Sequence, residues 1–304
     1  MRFLCFHGYG TSSEIFEQQF ASIARALGDH HEYVYLDGEV IVTRTELAGI
    51  FHGDTLGYYS GCNSEQIAHV HENVTELLAT EEPFDAVLAN SQGASLAISY
   101  LLHQQIQYPN KALPFRFAVF FTPGVVISPD REYKSKEILS FLDKLNQDDI
   151  NKILMGILDR NGQTMIEPMK FIGLSNLSAA ERELCLNLVQ HIDTLLLTRR
   201  NFKVAETNAY PDMTAQLDCR DKFPRFFHPV YTDERISIPT VHVIGSGDNQ
   251  AVKRLAEVAK MLCTKEKVIS VVHRGAHEIP NKSEGVEAVV RAIEKADFMG
   301  QRVW

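Results

Sequence analysis

The stretch Phe84-Asp85-Ala86-Val87-Leu88-Ala89-Asn90-Ser91-Gln92-Gly93-Ala94-Ser95-Leu96-Ala97 holds the pattern that decides the fold. The apolar run 86–89 has the length and character of a strand buried on both faces. It enters a small-x-Ser-x-Gly turn, and a helix is expected from Ala94 to about Gln105. A serine on so sharp a strand-to-helix turn sits in a strained backbone conformation with its hydroxyl raised above the sheet edge. Strand and helix approach closely there, so small residues are needed two places before and two after the serine. Ala89 and Gly93 occupy those places. A serine in a tight turn can also be no more than a helix cap; the strand before and the helix after favour a nucleophile, Ser91.

Working outward, similar apolar runs lie at 2–6, 33–36, 117–121, 240–244 and 268–272, each followed by a turn or loop. Near-continuous apolar runs suit parallel strands covered on both faces. Helical spacing fills the gaps: Phe16, Phe20, Ile23, Ala24 and Leu27 share one face, as do Ile67, Val70, Val74, Leu77 and Leu78. Alternating strand and helix signals imply an α/β fold with a doubly wound, mainly parallel sheet. The alternation breaks over residues 125–238. That stretch has helix-like segments at 135–145, 149–158 and 179–197 and no convincing strand. Ser178 with Glu181 forms a capping-box signal, and Leu184, Leu188, His191, Ile192 and Leu195 repeat at helical spacing. The expected organisation is a core of residues 1–124 and 239–304 interrupted by a helical cap at 125–238, with both ends of the cap on the catalytic edge. An ordinary surface-packed extension is the plainer alternative.

A serine hydroxyl needs a base to take its proton, and the base needs an orienting acid. In this architecture both follow the serine, on loops after late strands. Asp248 lies in a Gly-Ser-Gly-Asp loop after the 240–244 run, and His277 lies in His273-Arg274-Gly275-Ala276-His277 after the 268–272 run. Asp37 is the second acid to consider. A tetrahedral intermediate also needs backbone N–H donors aimed at its oxyanion. The amide of Gln92 is one candidate. The amide of Tyr9, in His7-Gly8-Tyr9-Gly10, is the other, and His7 is expected to shape that loop.

Composition narrows the alternatives. The chain has 304 residues, 45% hydrophobic and 23% charged, with 30 basic and 39 acidic side chains for a net charge of −9. Such an acidic chain, without a basic cluster, has no footprint for nucleic acid or an anionic membrane surface. No apolar run is long enough to cross a bilayer, and the opening segment is too short for a signal-peptide core before it meets His7-Gly8. The five cysteines (Cys5, Cys62, Cys185, Cys219 and Cys263) are scattered and form no C-x-x-C pair, which argues for a reducing compartment. The expectation is a soluble, cytoplasmic protein with no cofactor and no metal. His69 and His71 are two apart and point to different sides of a helix, so they cannot share a metal. His273 and His277 are four apart, but Gly275 and Pro280 argue against a helix there. No Walker loop or dinucleotide fingerprint is present. Cys5 reads as core. Met155, Met165, Met169, Phe171 and Met213 read either as core or as the wall of an apolar pocket.

These stretches together resemble the fungal serine hydrolase family, the FSH1-type branch of the α/β-hydrolases, related to the human ovarian-cancer-associated hydrolase. The likeness is carried by residues 3–10, Tyr35-Leu36-Asp37-Gly38, Phe51-His52-Gly53 through Tyr58-Tyr59, 84–97, 238–245 with Asp248, and 273–280. Three departures stand out. The usual G-F-S-Q-G is Ala89-Asn90-Ser91-Gln92-Gly93, the histidine loop H-x-G-G-H has Ala276 for its second glycine, and the 125–238 connection is much longer. The resemblance implies hydrolysis of a carboxylic ester or thioester through a Ser91 acyl-enzyme, with no cofactor. Implied substrates are small-molecule acyl esters or thioesters, including polyketide or acyl chains of secondary metabolism presented on an acyl-carrier protein. The long cap suits a bulky, mainly apolar acyl group. Two rival readings stand beside it: acyl transfer or cyclisation by the same three residues, and a small-molecule-binding protein that keeps a hydrolase shell.

Overall fold

The computed structural model describes residues 1–44, 53–60, 64–145, 177–185, 202–204 and 223–301. Its centre is a six-stranded sheet built from β1 (Arg2–Phe6), β2 (Glu32–Leu36), β5 (Ala86–Asn90), β6 (Phe117–Phe121), β8 (Thr240–Gly245) and β9 (Val268–His273). The strand order is β2-β1-β5-β6-β8-β9, and every pairing is parallel. All six carboxyl ends therefore lie on one edge, where open α/β sheets place their sites. The expected strands are present, with boundaries moved by a residue at β2, β5, β8 and β9.

The pleat sends alternate side chains to opposite faces. Leu4 and Phe6 of β1, Val87 and Ala89 of β5, and Ala118 and Phe120 of β6 enter one apolar layer. There they meet α2 (Ser64–Thr80), α3 (Gln92–Gln107) and the end of α5 (Gln250–Met261). Phe3, Cys5, Ala86, Leu88, Phe117 and Val119 enter the opposite layer, under α1 (Ser13–Leu27) and α6 (Ser283–Gly300). Phe16, Phe20 and Ile23 of α1 are fully buried, on the stripe that their spacing predicts. Both faces of the central strands β1, β5 and β6 are thus covered, which is why they are almost wholly apolar, while the edge strand β9 leaves Val272 exposed.

A second, antiparallel sheet was not legible in the sequence. It contains β3 (Val40–Arg44), β4 (Leu56–Gly57) and β7 (Phe202–Val204), in the order β4-β3-β7. The 125–238 stretch therefore contributes a strand, contrary to the expectation that it holds none. Three-residue strands carry too few positions to show a period, and this one is defined by its pairing with residues far away, Val42 with Val204. Elsewhere in that stretch, α4 (Ser135–Leu142) and helical residues 179–185 pack with Phe223 and Phe226 into a separate apolar cluster. The Ser178–Glu181 capping box is formed: Glu181 N donates to Ser178 Oγ at 3.2 Å and Ser178 N donates to Glu181 at 2.8 Å. The segment 149–158, residues 186–197 and the pocket-wall residues Met155, Met165, Met169, Phe171 and Met213 lie outside the described residues.

One expectation about the ends of this stretch is corrected. It begins at the carboxyl end of β6, on the site edge. It finishes at the amino end of β8, on the far edge, where Ile236 pairs with Cys263 and Gln105 donates to the Arg235 carbonyl at 2.6 Å. Parallel neighbours require this, because a chain leaving the top of one strand must return to the bottom of the next.

Candidate active site

Ser91 follows β5 and has φ 50° and ψ −112°, a region that L residues with a Cβ rarely adopt. Its amide is held by the Phe121 carbonyl of neighbouring β6 at 2.8 Å. Gly93 explains the small residue after the turn: a Cβ there would stand 2.5 Å from the backbone oxygens of both Phe6 and His7. Gly93 N donates to His7 O at 3.2 Å, so β1 and the start of α3 are locked backbone to backbone. Strain at Ser91 is thus sustained by the packing around it.

The structure brings Ser91, His277 and Asp248 together. His277 Nε2 lies 3.1 Å from Ser91 Oγ, and His277 Nδ1 lies 3.6 Å from Asp248 Oδ1. The Asp248 side chain is 1% exposed and that of His277 47%. Asp248 Oδ2 accepts the Gly245 amide at 3.0 Å, which turns Oδ1 toward the histidine. The two loops are joined by Ser246 N to His273 O at 2.7 Å and Gly247 N to Gly275 O at 2.8 Å. A Cβ on Gly245 would collide with the Ala276 carbonyl, so the glycine permits that approach. His273, the other histidine of this loop, is buried. Its Nδ1 accepts the Gly275 amide at 3.0 Å, and burial lowers its pKa from the ordinary value. It shapes the loop.

Asp37 is elsewhere. Its carboxylate takes the Ser13 amide at 2.7 Å and the Ser13 hydroxyl at 2.8 Å, at the start of α1. An anion there is favoured by the unpaired amides of a helix N-terminus.

His7 is fully buried between these parts. Its Nε2 accepts the Gly38 amide at 3.1 Å, so the ring proton is on Nδ1, which donates to Gly8 O at 2.7 Å. Burial pushes its pKa down, which keeps the ring neutral and suits it to hold a loop. A Cβ on neighbouring Gly8 would be 3.4 Å from Ser91 Cβ, so the loop carrying Tyr9 lies directly against the serine. Gly10 turns the chain away with φ 69°.

Two groups escaped the sequence analysis. The Gln92 side chain accepts the Tyr58 amide at 2.9 Å and donates to Tyr59 O at 2.8 Å. The buried Tyr58 hydroxyl accepts the His7 amide at 2.9 Å and donates to Leu36 O at 2.7 Å. Burial raises the Tyr58 pKa well above its ordinary value, so the phenol keeps the proton that it donates. No spacing rule links residues 34 positions apart.

The histidine pair of α2 divides: His69 faces Glu39 at 3.2 Å, while His71 is buried beside His103 and Tyr100. Cys5 is buried in β1. Among the described residues no group of His, Cys, Asp and Glu could hold a metal ion, and no helix is long and apolar enough to cross a membrane.

Comparison with known proteins finds relatives along nearly the whole chain. Hydrolase FUB4 of Fusarium oxysporum f. sp. lycopersici is 26% identical over 286 residues, 93% of this chain and 94% of its own. Esterase alnB of Emericella nidulans is 30% identical over 311 residues, 100% of this chain and 99% of its own. Among solved structures, the hyperthermophilic esterase of Pyrobaculum calidifontis gives a TM-score of 0.47 at 14% identity, with 98% of this chain and 76% of the other covered. The family described as Serine hydrolase (FSH1) matches residues 1–289. With a parallel sheet of this kind and a family match over nearly its whole length, the protein is an α/β-hydrolase and belongs to the serine hydrolase (FSH1) family.

Proposed function

We propose that this protein is an esterase or thioesterase that works through an acyl-enzyme on Ser91. The reading is supported above all by the 3.1 Å approach of His277 Nε2 to Ser91 Oγ, with Asp248 on the far side of the same ring. With its proton on Nδ1, toward Asp248, the neutral imidazole presents Nε2 as acceptor to the serine hydroxyl. As Oγ attacks the acyl carbon, its proton passes to Nε2, and the imidazolium is stabilised by the Asp248 carboxylate. Collapse of the tetrahedral intermediate expels the alcohol or thiol, which leaves with the proton from Nε2. Water then gives its proton to Nε2 and attacks the acyl carbon. The acid departs, and Ser91 recovers its hydrogen.

The oxyanion is assigned to the backbone amides of Gln92 and Tyr9. Gln92 opens α3, where first-turn amides lack an intrahelical acceptor and the helix dipole favours negative charge. Tyr9 follows Gly8, which packs on Ser91. The acyl group is proposed to be bulky and mainly apolar, delivered as a small ester or as a thioester on a carrier protein. One observation supports this: residues 125–238 begin at the carboxyl end of β6, whose Phe121 pairs with Asn90 next to Ser91. The ester preference accords with relatives named as esterases.

The test is labelling with a fluorophosphonate, followed by peptide mapping and a panel of p-nitrophenyl esters and acyl thioesters of increasing chain length. Label on Ser91, and loss of both label and turnover in Ser91→Ala, are expected. A folded protein that takes no label at Ser91 would overturn the proposal.

A further inference from the structure

We infer that the Gln92 side chain and the Tyr58 hydroxyl are positioning residues that suspend the oxyanion loop from the serine turn, using residues 56–59 as a splint. The inference deepens the acyl-enzyme reading and rests on it. Gln92 occupies two places at once. Its backbone amide stands at the start of α3 beside Ser91, while its side chain turns to residues 58–59. One carbonyl and one N–H of that side chain bracket the segment, through the Tyr58 amide and the Tyr59 carbonyl.

The splint then grips the loop at several points. His7 lies just past β1, and its amide is held by the Tyr58 hydroxyl at 2.9 Å. The His7 ring stacks on the Tyr58 ring with centroids 4.6 Å apart. Downstream, Gly10 N donates to Leu56 O at 2.8 Å and Leu56 N donates to Thr11 O at 2.6 Å. Gly57 lies so close to the Tyr9 ring that a Cβ on it would be 2.7 Å from Cδ2. The backbone on both sides of Tyr9 is therefore tied to residues 56–58, and these are tied to Gln92. An oxyanion donor works only when it is held where negative charge will develop, since an ångström of misplacement removes most of its effect. The second donor thus has its position set by the residue that supplies the first.

Tyr58→Phe removes one hydroxyl and keeps the ring stacked on His7. Gln92→Met removes both side-chain bonds and keeps the backbone amide. For a short p-nitrophenyl ester, each variant is expected to lose about tenfold to a hundredfold in kcat, with KM within about twofold of the parent. A trifluoromethyl ketone, which adds to serine and carries the tetrahedral oxyanion, should weaken by the same factor as kcat/KM. In the pH profile the plateau should fall while the midpoint of the acid limb stays in place. The double variant should lose little beyond the worse single variant, because both links serve one loop.

Unchanged kcat in either folded variant would overturn the inference. So would a raised KM with analogue affinity retained, or a moved acid midpoint, which would assign these residues to His277. Should Tyr58→Phe fail to fold, Gln92→Met still decides the matter, with its thermal midpoint as the folding control. Failure of the acyl-enzyme reading is separate: it appears in the parent protein as absence of label on Ser91. A parent that labels, with variants that turn over normally, removes this inference alone.

Discussion

The Ser91 half of the candidate site and its His277–Asp248 half are held in place by different means. Around Ser91, backbone meets backbone: Gly93 sits on the Phe6 and His7 carbonyls, and the Ser91 amide is fixed to β6. Around His277, the loops after β8 and β9 are joined by a few bonds, and the ring itself is half exposed. Its orientation depends on one buried carboxylate. The first half should resist loss of single side-chain contacts but tolerate no added atom. The second half is as tight at Gly245, where a Cβ would collide with the Ala276 carbonyl, has more room at Gly247, and should depend steeply on Asp248.

Four experiments bear on this contrast, taken from the largest expected effect. Ser91→Ala should lower kcat about 10⁵- to 10⁶-fold with the thermal midpoint nearly unchanged. Turnover within about a hundredfold of the parent would place the nucleophile elsewhere. Asp248→Asn comes next, at about 10⁴-fold in kcat. The new amide would keep the Gly245 bond through its oxygen and point its NH₂ at His277 Nδ1, favouring the wrong tautomer. A loss under about tenfold would show that His277 does not need this acid. Asp37 is no substitute, because Ser13 already occupies it.

Glycine replacements compare the two halves directly. Gly93→Ala puts a methyl 2.5 Å from two backbone oxygens and should cost about 3 kcal/mol in urea titration, with turnover reduced as the serine turn shifts. Gly247→Ala meets the Gly275 carbonyl at 3.1 Å, a contact that a shift of a few tenths of an ångström would relieve. It should stay within about 1 kcal/mol of the parent. Equal losses at the two positions would erase the contrast.

The last effect concerns pH. His71 and His242 are buried, and burial pushes both pKa values down to about 3. His71 has no hydrogen-bond partner on either ring nitrogen. In the unfolded chain both take a proton near pH 6.5. Between about 6.5 and 3 the unfolded state therefore binds more protons, and stability falls as pH falls; above 6.5 they add no dependence. His71→Leu should remove one proton from that slope, about 1.4 kcal/mol per pH unit. Urea melts at neutral pH and near about pH 5 would measure it. An unchanged slope would mean that His71 is not neutral in the fold. With the slope reduced, acid loss of activity can be assigned to the site and separated from unfolding.

Much of this was written in the chain. The central strands carry their own signal, because a strand covered on both faces must be apolar at nearly every position, and the edge strands β2 and β9 keep enough of it to be read. Ser91, Asp248 and His277 could be found because each follows such a strand, and parallel strands put all those ends on one edge. Residues 40–44 and 202–204 were illegible as a sheet, since a short edge pairing is defined by its partner more than by its own sequence. The return of the 125–238 stretch to the far edge follows from the parallel sheet itself, since a chain leaving the top of one parallel strand must reach the bottom of the next.

Sequence alone determined the layers, the parallel sheet and the order serine, acid, histidine, because burial, periodicity and the need for small residues at a tight turn act over a few positions. Tertiary structure alone decided that Asp248 faces His277 while Asp37 caps a helix, that Gln92 holds residues 58–59, and that Tyr58 holds His7. Each of these contacts joins residues tens of positions apart. Their proximity comes from the crossovers of the sheet, and such contacts can form only after the layers have packed.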